Sequence, residues 1–513
     1  MASHGSSFQK AFLGAAGSAG GFEDPFWIYQ YSNGNDEAAT APNHSQTADQ
    51  LGTGSTISAL HIRGNSGQVS GDEFPLPIID VNGSIVGSNM PYFYWGNQGS
   101  LYLGEIKVVS DPDEVWLTGF SQAPTNNGGL FIARLDCSNE ASISLDSVTH
   151  IYANYNSSNY TTWYGATTGQ CNNFVHIGTD YYVSGRSLYN NSDIYYPAIA
   201  KFNSSDVKQW ANEYRAGTLD GENSTKFNSI TTDGSYIYQI FLGKNNERFT
   251  VQKVNTSGAV QWSKLYACPY GQPAIHGIAY NSTSDEIVVA ITDRMDWHGG
   301  YGKALFVASL SKSNGNVSWS KVHGNSGGTY GWDVNTGENV FITSSGNIVV
   351  SFNGNAGIAA NSKPSGAGGI GVSLTVVIDG SDGSWVRGVV FQAANTNRIA
   401  QLQAAGGRIT QNDNMILTMP YDKATSSYGP RWIVVQFPLD GSISSGNYTM
   451  SAINNTVIYM YELVDADRDD DNWSLSGSSQ TPTVTAKAVV VGTSSAYTLA
   501  SFTNNEDAIV TIS

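Results

Sequence analysis

The sequence predicts an all-β fold: a β-propeller of six or seven four-stranded blades, carrying a flexible N-terminal arm. Three observations predict it. The composition suits short strands and tight turns, a strand–turn–strand unit ending in tryptophan recurs along the chain, and a second hairpin precedes each copy of that unit. Charged residues are only 13% of the chain, while aromatics reach 12% and there are 56 glycines among 513 residues. Water-exposed helices need abundant Glu, Lys, Arg and Ala; here Gly, Ser, Thr, Asn, Tyr and Val take their place. The low charge does not signal disorder, because β-branched and aromatic residues are too frequent for an unfolded chain.

The recurring unit is clearest at Phe249–Trp262 and Leu305–Trp319, each an apolar strand, a polar turn containing Gly, and a return strand opening at Trp. Looser copies start near Leu130, Pro197, Leu374 and Trp432, with Trp210 and Trp385 in comparable places. The starts are spaced by about 52 to 69 residues, the length of one propeller blade. The preceding hairpin is best seen in Phe227–Gly243 and Val340–Phe352. Together they give four strands per repeat, and circular closure hides the faces of every sheet against its neighbours. The tryptophans are expected to pack between adjacent blades. Six blades are legible over residues 105–450, and the strand-like flanks at 58–81, 456–463 and 486–513 could build a composite seventh. The chain therefore divides into an anchoring arm (1–22), a propeller (23–463), and C-terminal strands (464–513) that either close the propeller or form a small β extension.

The charge balance narrows the partners. With 25 Lys and Arg against 42 Asp and Glu, the net charge is −17, which disfavours nucleic acid and anionic membrane surfaces. No apolar run approaches the roughly 18 residues of a membrane span. Cys137, Cys171 and Cys268 are too few and too scattered for a disulfide or zinc framework.

A propeller channel can hold an active site, so catalytic patterns matter. The eight histidines form no HxH or HxxxH pair, and neither a nucleophile elbow nor a phosphate loop is present. The stretch Asp293-Arg-Met-Asp-Trp-His298 is the best enzyme-like cluster and reads as a polar loop tip; Asp111-Pro-Asp-Glu114 reads as a solvated turn. The expectation is that the chain is not an enzyme and has no organic cofactor. Calcium is the single candidate ion. Asp465, Asp467, Asp469 and Asp471 alternate as oxygen ligands in a loop could, although the sixth and twelfth positions, Asp470 and Ser476, break the EF-hand pattern. Trp163, Tyr164 and Tyr189 are candidate sugar-stacking aromatics.

The repeats resemble those of bacterial propellers with a Gly-x-Val-x-Trp-like blade signature. The segment Ser7-Phe-Gln-Lys-Ala-Phe-Leu-Gly-Ala-Ala-Gly17, followed by a Gly/Ser/Ala run, resembles the start of virion structural proteins of marine tailed bacteriophages. That resemblance covers about 20 residues and implies a virion appendage, such as a tail fibre, tail tip or head decoration, assembled in the host cytoplasm. Phe8, Phe12 and Leu13 would anchor the arm to other virion proteins, and the body would meet a host-surface glycan or protein, as a homo-oligomer on the particle. The alternatives are a secreted or surface bacterial adhesin or carbohydrate-binding propeller, which would be extracellular, and a glycan-degrading propeller enzyme.

Overall fold

The computed structural model describes residues 7–12, 27–32 and most of 47–512. Outside the described residues lie 66–69, 96–99, 111–113, 123–128, 154–162, 165–173, 190–193, 216–227, 243–247, 268–273, 325–336, 356–361, 395–399, 403–405, 424–430, 443–445, 451–455, 464–468, 494–496 and 504–509, with some gaps of one or two residues. Every regular element among the described residues is a strand.

Seven blades close into a ring. Blade 2 runs through Ser100–Ser110, Glu114–Gln122, Gly129–Asp136 and Ser144–Ala153. Blade 4 comprises Asn228–Thr232, Tyr236–Leu242, Arg248–Asn255 and Val260–Ala267, and blade 5 comprises Ala274–Asn281, Glu286–Trp297, Gly300–Ser311 and Val317–Gly324. Blade 3 starts at Phe174–Ile177 and ends at Lys208–Arg215; blade 6 starts at Gly337–Ile342 and ends at Trp385–Ala394. Each of the six third strands contains the start of one of the six units read in the sequence. Blade 1 is the seventh, assembled from Thr47–Gln50, Thr56–Ala59 and the strands through Asn89–Trp95. Blade 7 takes Gly406–Ile409, Asn414–Lys423 and Arg431–Pro438 from one end of the chain, and its fourth strand, Trp27–Ser32, from the other.

The core lies between blades. Phe131, Leu117 and Phe93 join blades 1 and 2; Trp116, Phe174 and Tyr181 join 2 and 3; Tyr238, Phe249 and Ile287 join 4 and 5. Both faces of a blade are covered, which is why Tyr236–Leu242 is buried along nearly its whole length instead of alternating.

The tryptophans pack between blades as expected, and the geometry explains their position. Trp210 of blade 3 donates its indole N–H to the Thr256 carbonyl of blade 4 at 3.0 Å, and Trp262 of blade 4 donates to Lys312 of blade 5 at 3.0 Å. Four residues on, Tyr214 and Tyr266 donate to the carbonyls of Gly258 and Gly315 in the same turns. Each ring lies flat on the turn only because the glycine there has no side chain: a Cβ on Gly315, whose φ is +70°, would sit 2.8 Å from Trp262.

The C-terminal strands form no separate domain. From Thr456 the chain circles the propeller backwards and adds one outer strand to each of blades 6 to 1 in turn. Thr456–Glu462 pairs with blade 6, Asp469–Asn472 with blade 5 and Gly477–Ser479 with blade 4. Thr483–Ala486 then pairs with blade 3, Val489–Thr493 with blade 2 and Tyr497–Thr503 with blade 1. Val510–Ile512 finally pairs with Gly446–Met450, itself paired with Thr456–Glu462, so this belt returns to where it began.

Candidate functional site

The two ends of the ring differ. At one end, tight turns join the first and second strands of each blade, for example 233–235, 282–285, 343–347 and 410–413. At the other end run the connections between second and third strands and from one blade to the next, most of which lie outside the described residues.

The innermost strands enclose a cavity of about 490 Å³ at the tight-turn end. Its wall alternates apolar and polar groups, with Ile230, Ile278, Val340 and Ile409 beside Thr232, Ser344, Gln411 and Asp413, and two cations, Lys107 and Arg408. Lys107 extends from blade 2 with its Nζ 5.1 Å from the centre of the Phe174 ring. Burial holds its ammonium below the ordinary lysine range; Glu105 opposes that shift and Arg408 adds to it. Arg408 of blade 7 places Nε 3.2 Å from Asp49 Oδ1 of blade 1. The other Asp49 oxygen accepts the backbone N–H of Val108 in blade 2 at 2.8 Å. One buried carboxylate thus ties blades 7, 1 and 2, and the Gln411 N–H donates to Gln50 Oε1 across the same seam. Asp413 is likewise occupied, accepting from the backbone N–H and the hydroxyl of Ser344.

Beside Lys107 sits His176, edge-on to Trp116 at 4.7 Å and to Phe174 at 5.6 Å. Burial, reinforced by the Lys107 charge, pushes its imidazole down to about 4, so it is neutral at pH 7. Between blades 2 and 3, Asp206 gathers Arg134, the Thr149 hydroxyl at 2.7 Å and the Tyr181 phenol at 2.8 Å, and the Arg134 guanidinium covers the Trp116 ring at 4.4 Å. This cluster holds two blades together.

No protein-family model and no curated protein matches the chain. Among solved structures, the soluble aldose sugar dehydrogenase of Escherichia coli aligns with a TM-score of 0.28 and 10% identity, covering 80% of this chain and 99% of that one. A glucose dehydrogenase aligns at 0.27 and 9%, covering 76% and 96%. The expectation that the chain is not an enzyme is corrected here. It rested on the lack of a recognisable catalytic motif, and both of these similar structures are dehydrogenases. At this distance the likeness assigns no activity.

The sequence-selected residues fall in several places. Trp163–Tyr164 is a short strand paired with Arg186 and Ser187, two residues before Tyr189 ends its strand. The three aromatics therefore share the loop-rich end of blade 3. Asp469 and Asp471 lie in a belt strand, opposite Gly324 and Val322; Asp465 and Asp467 lie outside the described residues. Among the described residues, no group of three or more His, Cys, Asp or Glu could hold a metal ion. Phe8 and Phe12 lie in Ser7–Phe12, which pairs with Trp27–Ser32 of blade 7, while Leu13 is outside the described residues. Asp293 and Arg294 belong to the long hairpin of blade 5. Glu114 accepts the Trp116 indole N–H at 2.6 Å. Lys107, Arg408, Asp49 and His176 were not singled out by sequence. The signal was a lone cation inside an apolar inner strand, as in Ile106-Lys107-Val108 and Gly407-Arg408-Ile409.

Proposed function

We propose that the protein is a recognition propeller that binds a surface glycan through the loop-rich end of blade 3, and that it is an appendage of a tailed-bacteriophage particle. The convergence of Trp163, Tyr164 and Tyr189 on that end carries the binding half of the reading. Planar aromatics offer large, rigid faces for sugar rings, and a closed propeller holds them on a stiff frame. The particle half is supported by the Ser7–Gly17 segment and by an acidic, Gly-rich, Cys-poor composition. Phe8, Phe12 and Leu13 are the residues through which that segment would meet other virion proteins.

The test is a glycan array probed with the full chain and with Trp163→Ala, scoring chemical change of each glycan as well as retention. Retention on a defined glycan class, lost in the variant, is expected. No retention, or equal retention by the variant, would overturn the binding reading. Immunogold electron microscopy of phage particles tests the second half: label at a fixed position on the particle is expected, and unlabelled particles would refute it.

A further inference from the structure

We propose that the tight-turn mouth of the channel binds a small molecule bearing a carboxylate or phosphate group, held by Lys107 and Arg408. This does not rest on the glycan reading, whose residues lie at the other end of the ring. The first observation is the cavity: about 490 Å³ is within the range of small-ligand pockets. The second is donor capacity without acceptors. The Lys107 ammonium can donate three hydrogen bonds, and among the described residues none supplies it with an acceptor; its recorded neighbour is the Phe174 ring. Arg408 engages Asp49 through Nε, and among the described residues neither of its terminal nitrogens has an acceptor. Both side chains line the same cavity.

The carboxylates nearby do not fill this need. Asp49 is held by Arg408 and the Val108 N–H and does not line the cavity, and Asp413, which does, is taken up by Ser344. Glu105 lies two residues along the strand from Lys107 and is buried away from the cavity wall. His176 is neutral and contributes no charge. Two cations with free donors therefore face a space bounded by hydroxyl and amide groups in a protein of net charge −17. An oxyanion satisfies both at once, because a fork of guanidinium N–H groups matches carboxylate and phosphate oxygens alike. The apolar segments at Ile230, Ile278, Val340 and Ile409 would cover the remainder of the ligand.

The experiment is isothermal titration of the full chain with inorganic phosphate and, separately, with citrate, each against sodium chloride of equal ionic strength. Saturable binding of one or both is expected, weakened about tenfold or more by Lys107→Met, with the preferred anion distinguishing phosphate from carboxylate chemistry. Lys107→Met removes a desolvated charge and should fold; circular dichroism checks this. If that variant does not fold, acetylation of Lys107 in the wild-type chain replaces it, with slowing by the bound anion as the expected result. No binding beyond the chloride control, binding unaltered in the folded variant, or acetylation unaffected by either anion would each overturn the proposal.

Discussion

Protonating His176 should loosen the seam between blades 2 and 3, and the size of the effect follows from its surroundings. The imidazole is wedged against Trp116, Phe174 and Tyr181, with Lys107 and Arg134 as nearby cations and Glu114 as the opposing charge. Its folded value of about 4 lies below the 6.5 of a free imidazole, so the unfolded chain takes up the proton first. The contribution is complete above about pH 6.5 and is lost as the pH falls towards 4. A shift of this size corresponds to about 3 kcal/mol between those limits. Several carboxylates, including Asp136 and Asp285, are held below their ordinary values by hydrogen bonds, and they destabilise the fold only at more acid pH. Comparing the wild type with His176→Gln cancels those groups. Urea unfolding at pH 7.5, 6, 5 and 4.5, followed by tryptophan fluorescence, should show the wild type losing about 2.5 kcal/mol relative to the variant across the range. A difference between the two proteins that stays constant with pH would refute the burial argument.

Two further outcomes follow from the frame. Trp262→Phe removes the indole bond to the Lys312 carbonyl, whereas the buried indole nitrogen of Trp319 has no hydrogen-bond partner among the described residues. Thermal melts should therefore show Trp262→Phe costing about 1 kcal/mol more than Trp319→Phe; equal losses would mean that packing alone sets the role of these rings. Truncation after Leu463 uncovers the outer edges of blades 1 to 5, which the belt strands pair. Such a chain should self-associate, seen as a rise in mass by size-exclusion chromatography with light scattering; a monomeric truncated protein would show the belt to be dispensable for solubility.

The strands were legible in the sequence because a blade advertises itself locally. Phe249–Trp262 and Leu305–Trp319 carry their turn glycine and their interblade tryptophan within one short stretch, and the chemistry of both is settled by neighbours a few tens of residues away. Blade 1 was harder to read, since its outer strand, Tyr497–Thr503, pairs with Asn89–Trp95 across most of the chain. The belt was readable only in part: its stretches at 456–463 and after 486 are strand-like in sequence, but Gly477–Ser479 and Thr483–Ala486 are short and polar, with Val484 exposed, and their strand character comes from the edges they cover. The channel residues were missed for a different reason. Lys107 and Arg408 are 301 positions apart in sequence, and only ring closure brings them to one cavity. The aromatic trio of blade 3 was chosen by residue type, and pairing of Trp163–Tyr164 with the strand that ends at Tyr189 is what groups it.

The belt also sets the order of assembly. Its strands have nothing to pair with until blades 1 to 6 exist, and they are translated after every blade strand they pair with. Tyr497–Thr503 must find a strand made some 400 residues earlier, an encounter with a large loop-closure cost and a correspondingly slow rate. A nascent ring can therefore form from the N-terminal side and only afterwards be bound round its rim. Once it is in place, opening a seam between any two of blades 1 to 6 pulls on consecutive belt strands paired with both adjoining blades, so the belt slows unfolding more than it speeds folding. A protein built this way resists unfolding through kinetics: the rate of opening the belt, more than the equilibrium stability, sets how long the ring stays closed.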